Sequence, residues 1–457
     1  MAQRHFFWQS RTLLCHYLIN VAVGIMIAVI FAMAAGSQWG EGVRNAAFDL
    51  LVRYEYQQTP HAVAPRSPLF FVEISPLEYR QWGEPLLTPR EKVADLIDAA
   101  WHKGAPVVVL DILLDRPDRE HPDADAKLRS LLQRMLRENA HTRVIFPVRV
   151  GADGELRGHL LDDFFESRSV AGERLFYPAA PTVLASQVDL LNRFWGAYQV
   201  CRDRQGGTRI IWSVALLAAA LHQGTQDHLE QLAKRLVAGA GQAHGGATGE
   251  GDAELRLKLG ERELQLAPLE RLAPADAGYP GFQAGESHGL PYAQRVRFLI
   301  APRTLARRDA GNFRPGLSPD SLAGKIVVIG NGSPETGDIL ATPVGQMPGM
   351  YLIGNAINTI VTGRMPEHME EWQDLLLEAA MIVVAAWLFL KFHTILAQIL
   401  SSLLFLAALV PVSWYLYREF GVFINFIIPV VGMRLHGIAD SLETMFATKG
   451  RKQHDHH

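Results

Sequence analysis

The sequence predicts an α/β domain with a mainly parallel sheet, placed outside the cytoplasm and held by four transmembrane α-helices, one N-terminal and three C-terminal. Three observations carry this reading. Charge-free apolar runs gather at the two ends of the chain, basic residues cluster on one side of those runs, and the stretch between them alternates short buried runs with amphipathic periods.

Composition narrows the classes. The 457 residues give room for two or three domains, and 44 Lys+Arg against 47 Asp+Glu leave a net charge of −3, which argues against a nucleic-acid binder. Two cysteines in so long a chain exclude a disulfide-stapled mini-domain.

The first apolar run, 14–36, is uncharged and long enough to cross a hydrocarbon core about 30 Å thick at about 1.5 Å per residue. Arg4, Arg11 and Ala32-Met33-Ala34 also fit a signal peptide, but the run exceeds the usual apolar region of about 7–15 residues, so a retained anchor is expected. At the other end, 371–391 and 394–417 read as two helices joined by the basic turn Lys391-Phe392-His393. The run 420–436, with Pro429 inside, reads as a shorter third. Four crossings put both termini, 1–13 and 437–457, in the cytoplasm with Arg4, Arg11, Lys391, Arg434 and the terminal Lys/Arg cluster, and leave 37–370 outside. The expected location is a bacterial inner (cytoplasmic) membrane, multi-pass, with the large domain in the periplasm or outside. Glu378 lies close enough to the outer end of its helix for interfacial solvation to account for it.

Within 37–370, Leu69–Ile74 is an apolar run bounded by Pro68 and Ser75-Pro76, and reads as a buried strand. Pro89 opens a helix carrying Val93, Leu96, Ile97 and Ala100, which Gly104 stops. Val107–Leu110 is a second strand, Asp123–Leu136 an amphipathic helix and Val144–Val148 a third strand. This rhythm is that of parallel βαβ units. Beyond it, 212–222 reads as helix, Ala238–Gly251 as a Gly/Ala-rich loop, 255–266 as a hairpin, Arg295–Ile300 and Ile326–Ile329 as strands, and Gly349–Gly363 as an apolar helix.

Catalytic motifs are sparse. Gly285-Glu286-Ser287-His288-Gly289 matches a nucleophile-elbow pattern but lacks the strand before and helix after that the elbow needs. Gly330-Asn331-Gly332 follows a strand, yet Glu335 stands where a dinucleotide loop needs glycine. No HExxH or CxxC occurs, and Cys201 reads as a small buried hydrophobe. No enzyme activity, cofactor or metal is expected.

Position supplies the remaining signal. Ligands of parallel α/β sheets sit beyond the carboxyl ends of strands. Ser75, Asp111 and Asn331 end three strands, with Glu78, Asp115, Ser333 and Asp338 beyond them. These seven could hold a small polar ligand or a cation; equally, Asp and Ser at strand ends cap the following helix.

An ordered set of stretches resembles a type-two CHASE domain, the cyclase/histidine-kinase-associated sensory extracellular module. Phe48–Arg53 is similar to its opening, and Thr88-Pro89-Arg90 with Val107–Leu114 to its P-R…DILF segment. Asp123, Asp125 and Leu128 match its next helix, and Gly196, Asp203, Gly206, Gly207 and Arg209 its G…D-x-D-G…R stretch. Gly324–Gly330, Asp338, Thr342-Pro343, Pro348-Gly349 and Asn355 match its closing signature. Two positions depart from it: Ser75-Pro76 stands where an acidic residue often follows the first strand, and Ile353 where the family has His. Such domains usually feed a cytoplasmic kinase, cyclase or phosphodiesterase, whereas here about 24 residues follow Met433. In that stub Leu435, Ile438, Leu442 and Met445 form an apolar stripe suited to docking a partner or lying on an anionic surface.

The resemblance implies a non-enzymatic, membrane-anchored sensor that binds a ligand or protein and relays to a separate partner. The alternative is a structural scaffold subunit of a membrane complex with no ligand switching. Expected partners are the lipid bilayer, a protein in the membrane or periplasm and a small-molecule ligand, with no nucleic acid.

Overall fold

The computed structural model describes residues 37–58, 67–242, 255–259, 262–266, 294–302, 307–314, 321–333 and 338–424, apart from a few positions within them, with scattered positions among 21–33 and residue 426. The chain divides into two compact units, one of residues 52–365 and one of residues 1–51 with 366–457.

The larger unit contains the end of helix α1 (Gln38–Gln58) and then alternates strand and helix. Strand β1 (Leu69–Ile74) leads through the short α2 (Pro76–Gln81) to α3 (Arg90–His102), β2 (Val107–Asp111), α4 (Pro122–Arg137) and β3 (Arg143–Pro147). Helix α5 (Asp162–Phe165) precedes β4 (Phe176–Ala179), and two antiparallel pairs follow: β5 (Val183–Ala185) with β6 (Asn192–Trp195), and β7 (Tyr198–Arg202) with β8 (Thr208–Trp212). Helices α6 (Val214–Gln223) and α7 (Gln226–Gln242) lead to the hairpin β9 (Leu255–Leu259) and β10 (Arg262–Leu266). Strands β11 (Arg307–Asp309) and β12 (Ile326–Asn331), the hairpin β13 (Ile339–Thr342) and β14 (Gly345–Pro348), and helix α8 (Gly349–Val361) complete the unit.

Six strands form one sheet in the order β11-β1-β12-β2-β3-β4, every neighbour parallel. β12, late in the chain, enters between β1 and β2. All six strands therefore present their carboxyl ends at one edge, and β12 sits at the switch in strand order. One face, with Phe70, Val72, Val108, Leu110, Val144, Phe146, Val327 and Ile329, packs on α3 and α4 in a continuous apolar core. The opposite face meets α6 and α8. There Phe71 stacks on Tyr351 with centroids 4.9 Å apart, and a Cβ at Gly354 would lie 2.4 Å from the Phe71 ring. Glycine at 354 is thus what lets α8 lie on β1.

Each strand and helix expected from the first half of the domain is present. In the second half, 212–222 is shifted: Trp212 ends β8, Ser213 caps α6 and its hydroxyl accepts from Leu216 N–H. The 295–300 stretch is not a strand. Arg295 makes an isolated bridge to Phe194, and Leu299 and Ile300 donate their N–H groups to the Asn355 side chain at 2.9 Å each. Side-chain satisfaction replaces the ladder, which periodicity alone does not reveal. Cys201 is buried, and burial pushes its thiol up to about 11, as a small hydrophobe requires.

The smaller unit contains β15 (Glu367–His368), α9 (Glu371–Lys391), α10 (Thr394–Phe420) and β16 (Val422–Phe423). Helices α9 and α10 coincide with two expected spans and pack on each other. Among the described residues, Leu396–Phe420 is the stretch of helix long and apolar enough to cross a membrane, while Ala379–Lys391 is a shorter apolar helix. The start of the expected 420–436 helix differs: Gly421, at φ 77°, ends α10, and Val422–Phe423 pairs in parallel with Glu367–His368. The described residues among 21–33 are helical. The Glu378 side chain, the 285–289 motif and the stripe Leu435, Ile438, Leu442 and Met445 lie outside the described residues.

Candidate functional site

Parallel register places Glu73, Gly330 and Asp111 side by side across β1, β12 and β2, on the face covered by α8. The central position has no side chain for a steric reason. A Cβ at Gly330 would lie 2.8 Å from Met350 Cβ and 3.0 Å from Asp111 Cβ, so glycine admits the first turn of α8 to the sheet edge.

The β13–β14 hairpin then delivers a second carboxylate. Ile339 pairs with Pro348, which sets Asp338 beside Gly349, the first residue of α8. The Gly349 N–H donates to the Asp338 carbonyl at 3.0 Å, and a Cβ at Gly349 would lie 2.5 Å from the Asp338 carboxylate. Asp338 thereby comes within electrostatic reach of Asp111, 227 positions earlier in the chain. Burial raises the Asp338 carboxyl to about 6, against the lowering effect of the Gly349 N–H. Burial also raises Asp111 well above the usual carboxylate range, and the charge of Asp338 adds to this. Asp111 Oδ2 is sealed from solvent with no hydrogen-bond partner among the described residues. Two such carboxyls disfavour double ionisation, so the pair is suited to sharing a proton, holding a cation, or accepting hydrogen bonds.

The flanking acid is differently placed. Glu73 Oε2 accepts from Tyr351 Oη at 2.6 Å and from Arg307 Nη1 at 3.0 Å. Burial, then the Glu73 carboxylate, hold the Tyr351 phenol above its ordinary range. Glu73 is charge-compensated where Asp111 is not.

The other expected site residues serve local structure. Ser75 and Glu78 form a capping box on α2: the Ser75 N–H donates to Glu78 Oε2 at 3.1 Å, and the Glu78 N–H to Ser75 Oγ at 3.4 Å. Glu78 Oε1 also accepts from the Gly311 N–H at 3.3 Å. Asp115 faces Arg149 at 3.5 Å. Asn331 Oδ1 accepts the Ser333 N–H at 2.8 Å, closing a turn after β12. Of the seven, Asp111 and Asp338 come together.

A family model described as the CHASE2 domain matches residues 24–391. The chain belongs to the CHASE2 family. CHASE2 is a family of sensory extracellular domains, so the resemblance read from ordered short motifs holds over most of the chain. No curated protein and no solved structure matches. Part of the CHASE2 closing segment has a physical basis here, since Gly330, Asp338 and Gly349 are positions that bring α8 onto the carboxyl edge. Glu73, Tyr351 and Arg307 were missed in the sequence because Glu73 reads as a polar interruption in LFFVEI. Alternation supplied the signal: Glu73 shares a sheet face with Phe71 and Leu69 and so points toward α8 rather than solvent.

Proposed function

We propose that this CHASE2 chain is a non-enzymatic, membrane-anchored sensor, whose α/β unit takes a small polar ligand or cation at the carboxyl edge of the sheet and relays the result to a separate protein partner. The observation that carries this is the Asp111–Asp338 pair: two half-buried carboxyls at the switch in strand order, one with a sealed oxygen that has no partner among the described residues. Such a pair is an unfavourable way to finish a core and a favourable way to receive a donor. The α8 N-terminus rests on the same edge, so occupancy there would bias the seating of α8, the differential contact a two-state signal needs.

The proposed setting is a multi-pass inner membrane protein with four helices, both termini cytoplasmic and the α/β unit in the periplasm. What supports it is the family, the apolar helix Leu396–Phe420 and the one-sided placement of basic residues. A cysteine introduced at exposed Val170 is expected to react with an impermeant maleimide on intact spheroplasts; protection until lysis would reverse the topology. The ligand reading is tested by thermal-shift screening of the full chain in neutral detergent with alkali and alkaline-earth cations and small ammonium compounds. A stabiliser lost in Asp111→Asn supports the sensor. Stabilisation by none of them, together with a fixed stoichiometric partner on purification, favours the scaffold.

A further inference from the structure

At the far edge of the sheet, β4 and β8 begin to pair and then part. Leu175 and Ala179 turn their carbonyls toward β3, accepting from Val144 and Val148, so Phe176, Pro178 and Ala180 face outward. Ala180 makes both backbone bonds to the β8 end, donating to Trp212 and accepting from Val214. Pro178 has no N–H to continue the ladder. The outward carbonyl of Phe176 is taken instead by Arg174 Nε at 3.2 Å. The strands splay, and α7 lies over β8 without filling the gap. The result is a wedge of about 620 Å³, within the range of small-molecule sites.

Its chemistry is two-sided. Ile210, Leu217, Leu229 and Val237 line the apolar part. Arg168, Arg174, Arg209 and Lys234 line the rest, with Glu230 as the carboxylate among them. Arg209 is already paired, to Glu166 at 2.6 Å. Arg168, Arg174 and Lys234 have no ion pair among the described residues. The Arg174 guanidinium lies over the Tyr177 ring, 4.9 Å from its centroid, and Tyr177 Oη donates to the Arg174 carbonyl at 3.1 Å. Burial lowers the Arg174 pKa, the mark of a cation short of solvation. Gln226 Oε1, in the same wall, is buried without a partner among the described residues, and its amide can present either end to a ligand.

We propose that this wedge is a second binding site, for a soluble carboxylate with an apolar body, the carboxylate on Arg174 and Lys234 and the body against α7 and β8. Guanidinium groups receive carboxylates through two parallel hydrogen bonds, and a stacked, oriented one loses little freedom in doing so. The proposal goes beyond the strand-end site and does not depend on it.

The test is calorimetric titration of the full chain in neutral maltoside micelles with 4-phenylbutyrate, 4-phenylbutan-1-ol and acetate. The expected result is 4-phenylbutyrate binding at least tenfold tighter than the other two. Arg174→Gln is expected to weaken it tenfold or more, and Ala233→Trp, which fills the wedge, to remove it. Should Arg174→Gln lose cooperative melting, Lys234→Glu on the exposed rim is expected to weaken binding threefold or more. Asp111→Asn is expected to leave the affinity unchanged, which separates this site from the strand-end one. Equal affinity for the alcohol, wild-type binding by Ala233→Trp, or no binding at millimolar 4-phenylbutyrate would overturn the proposal.

Discussion

Two polar regions of the α/β unit handle charge in opposite ways. In the first, Arg297 Nε donates to Glu55 Oε2 at 2.9 Å, Arg297 Nη2 bonds Glu55 Oε1, and both side chains are nearly fully buried. Beside it Asn355 accepts from Leu299 and Ile300, and its Nδ2 donates to the Ile300 and Tyr351 carbonyls at 3.1 and 2.9 Å. In the second, the Asp338 charge acts on Asp111, and Asp111 Oδ2 is sealed with no partner among the described residues. The first region holds the irregular 294–301 segment on α8. The second relaxes only by keeping a proton or gaining a ligand. Burial is offset by hydrogen bonds at Glu55, Arg297 and Asn355, and at Asp111 Oδ2 it is not offset among the described residues.

The sharpest way to break this contrast is at the ion pair. Glu55→Ala or Arg297→Ala removes the partner of a buried charge and is expected to cost about 3–5 kcal/mol, measured by denaturant unfolding of the full chain in neutral detergent. The double replacement Glu55→Leu with Arg297→Met is expected to recover much of that loss. Asn355→Leu strands two backbone N–H groups and is expected to cost about 2–4 kcal/mol by the same measurement.

The acidic pair should behave with the opposite sign. The folded-state pKa of Asp338 is raised to about 6, so the fold binds protons the unfolded chain has released. The contribution of Asp338 to stability is then full below the unfolded carboxylate pKa near 4 and is lost as pH rises through about 6. Asp338→Asn is expected to raise the melting temperature at pH 7.5 by a few degrees, leave it nearly unchanged at pH 4, and flatten the slope between. A steeper slope in the variant would remove Asp338 from this role. The smallest effect belongs to Ser75→Ala, about 1 kcal/mol from the lost cap, with no change in any ligand response that Asp111→Asn abolishes.

Much of this was legible in the residues. LFFVEI, VVVLD and RVIFP, with the helices between them, gave the parallel core because a strand buried on both faces is apolar throughout. The strand ends also pointed to Asp111 and Asp338, though only as two among seven. What chose them is tertiary: the β13–β14 hairpin pairs Ile339 with Pro348, and ILAT and GQMP lack the alternation that announces strands. The edge beyond β3 was illegible for a related reason. β5 and β6 have only three and four residues, and β4 carries Pro178, a residue that argues against a strand unless the strand is an edge.

That proline has a consequence for assembly. A bare sheet margin invites a second chain to add its own strand, and proteins often blunt it with proline or charge. Here the outward donor is absent at Pro178 and the outward acceptor of Phe176 is occupied by Arg174. Copies of this chain cannot join by extending their sheets through β4, so a homodimer would have to form through some other surface.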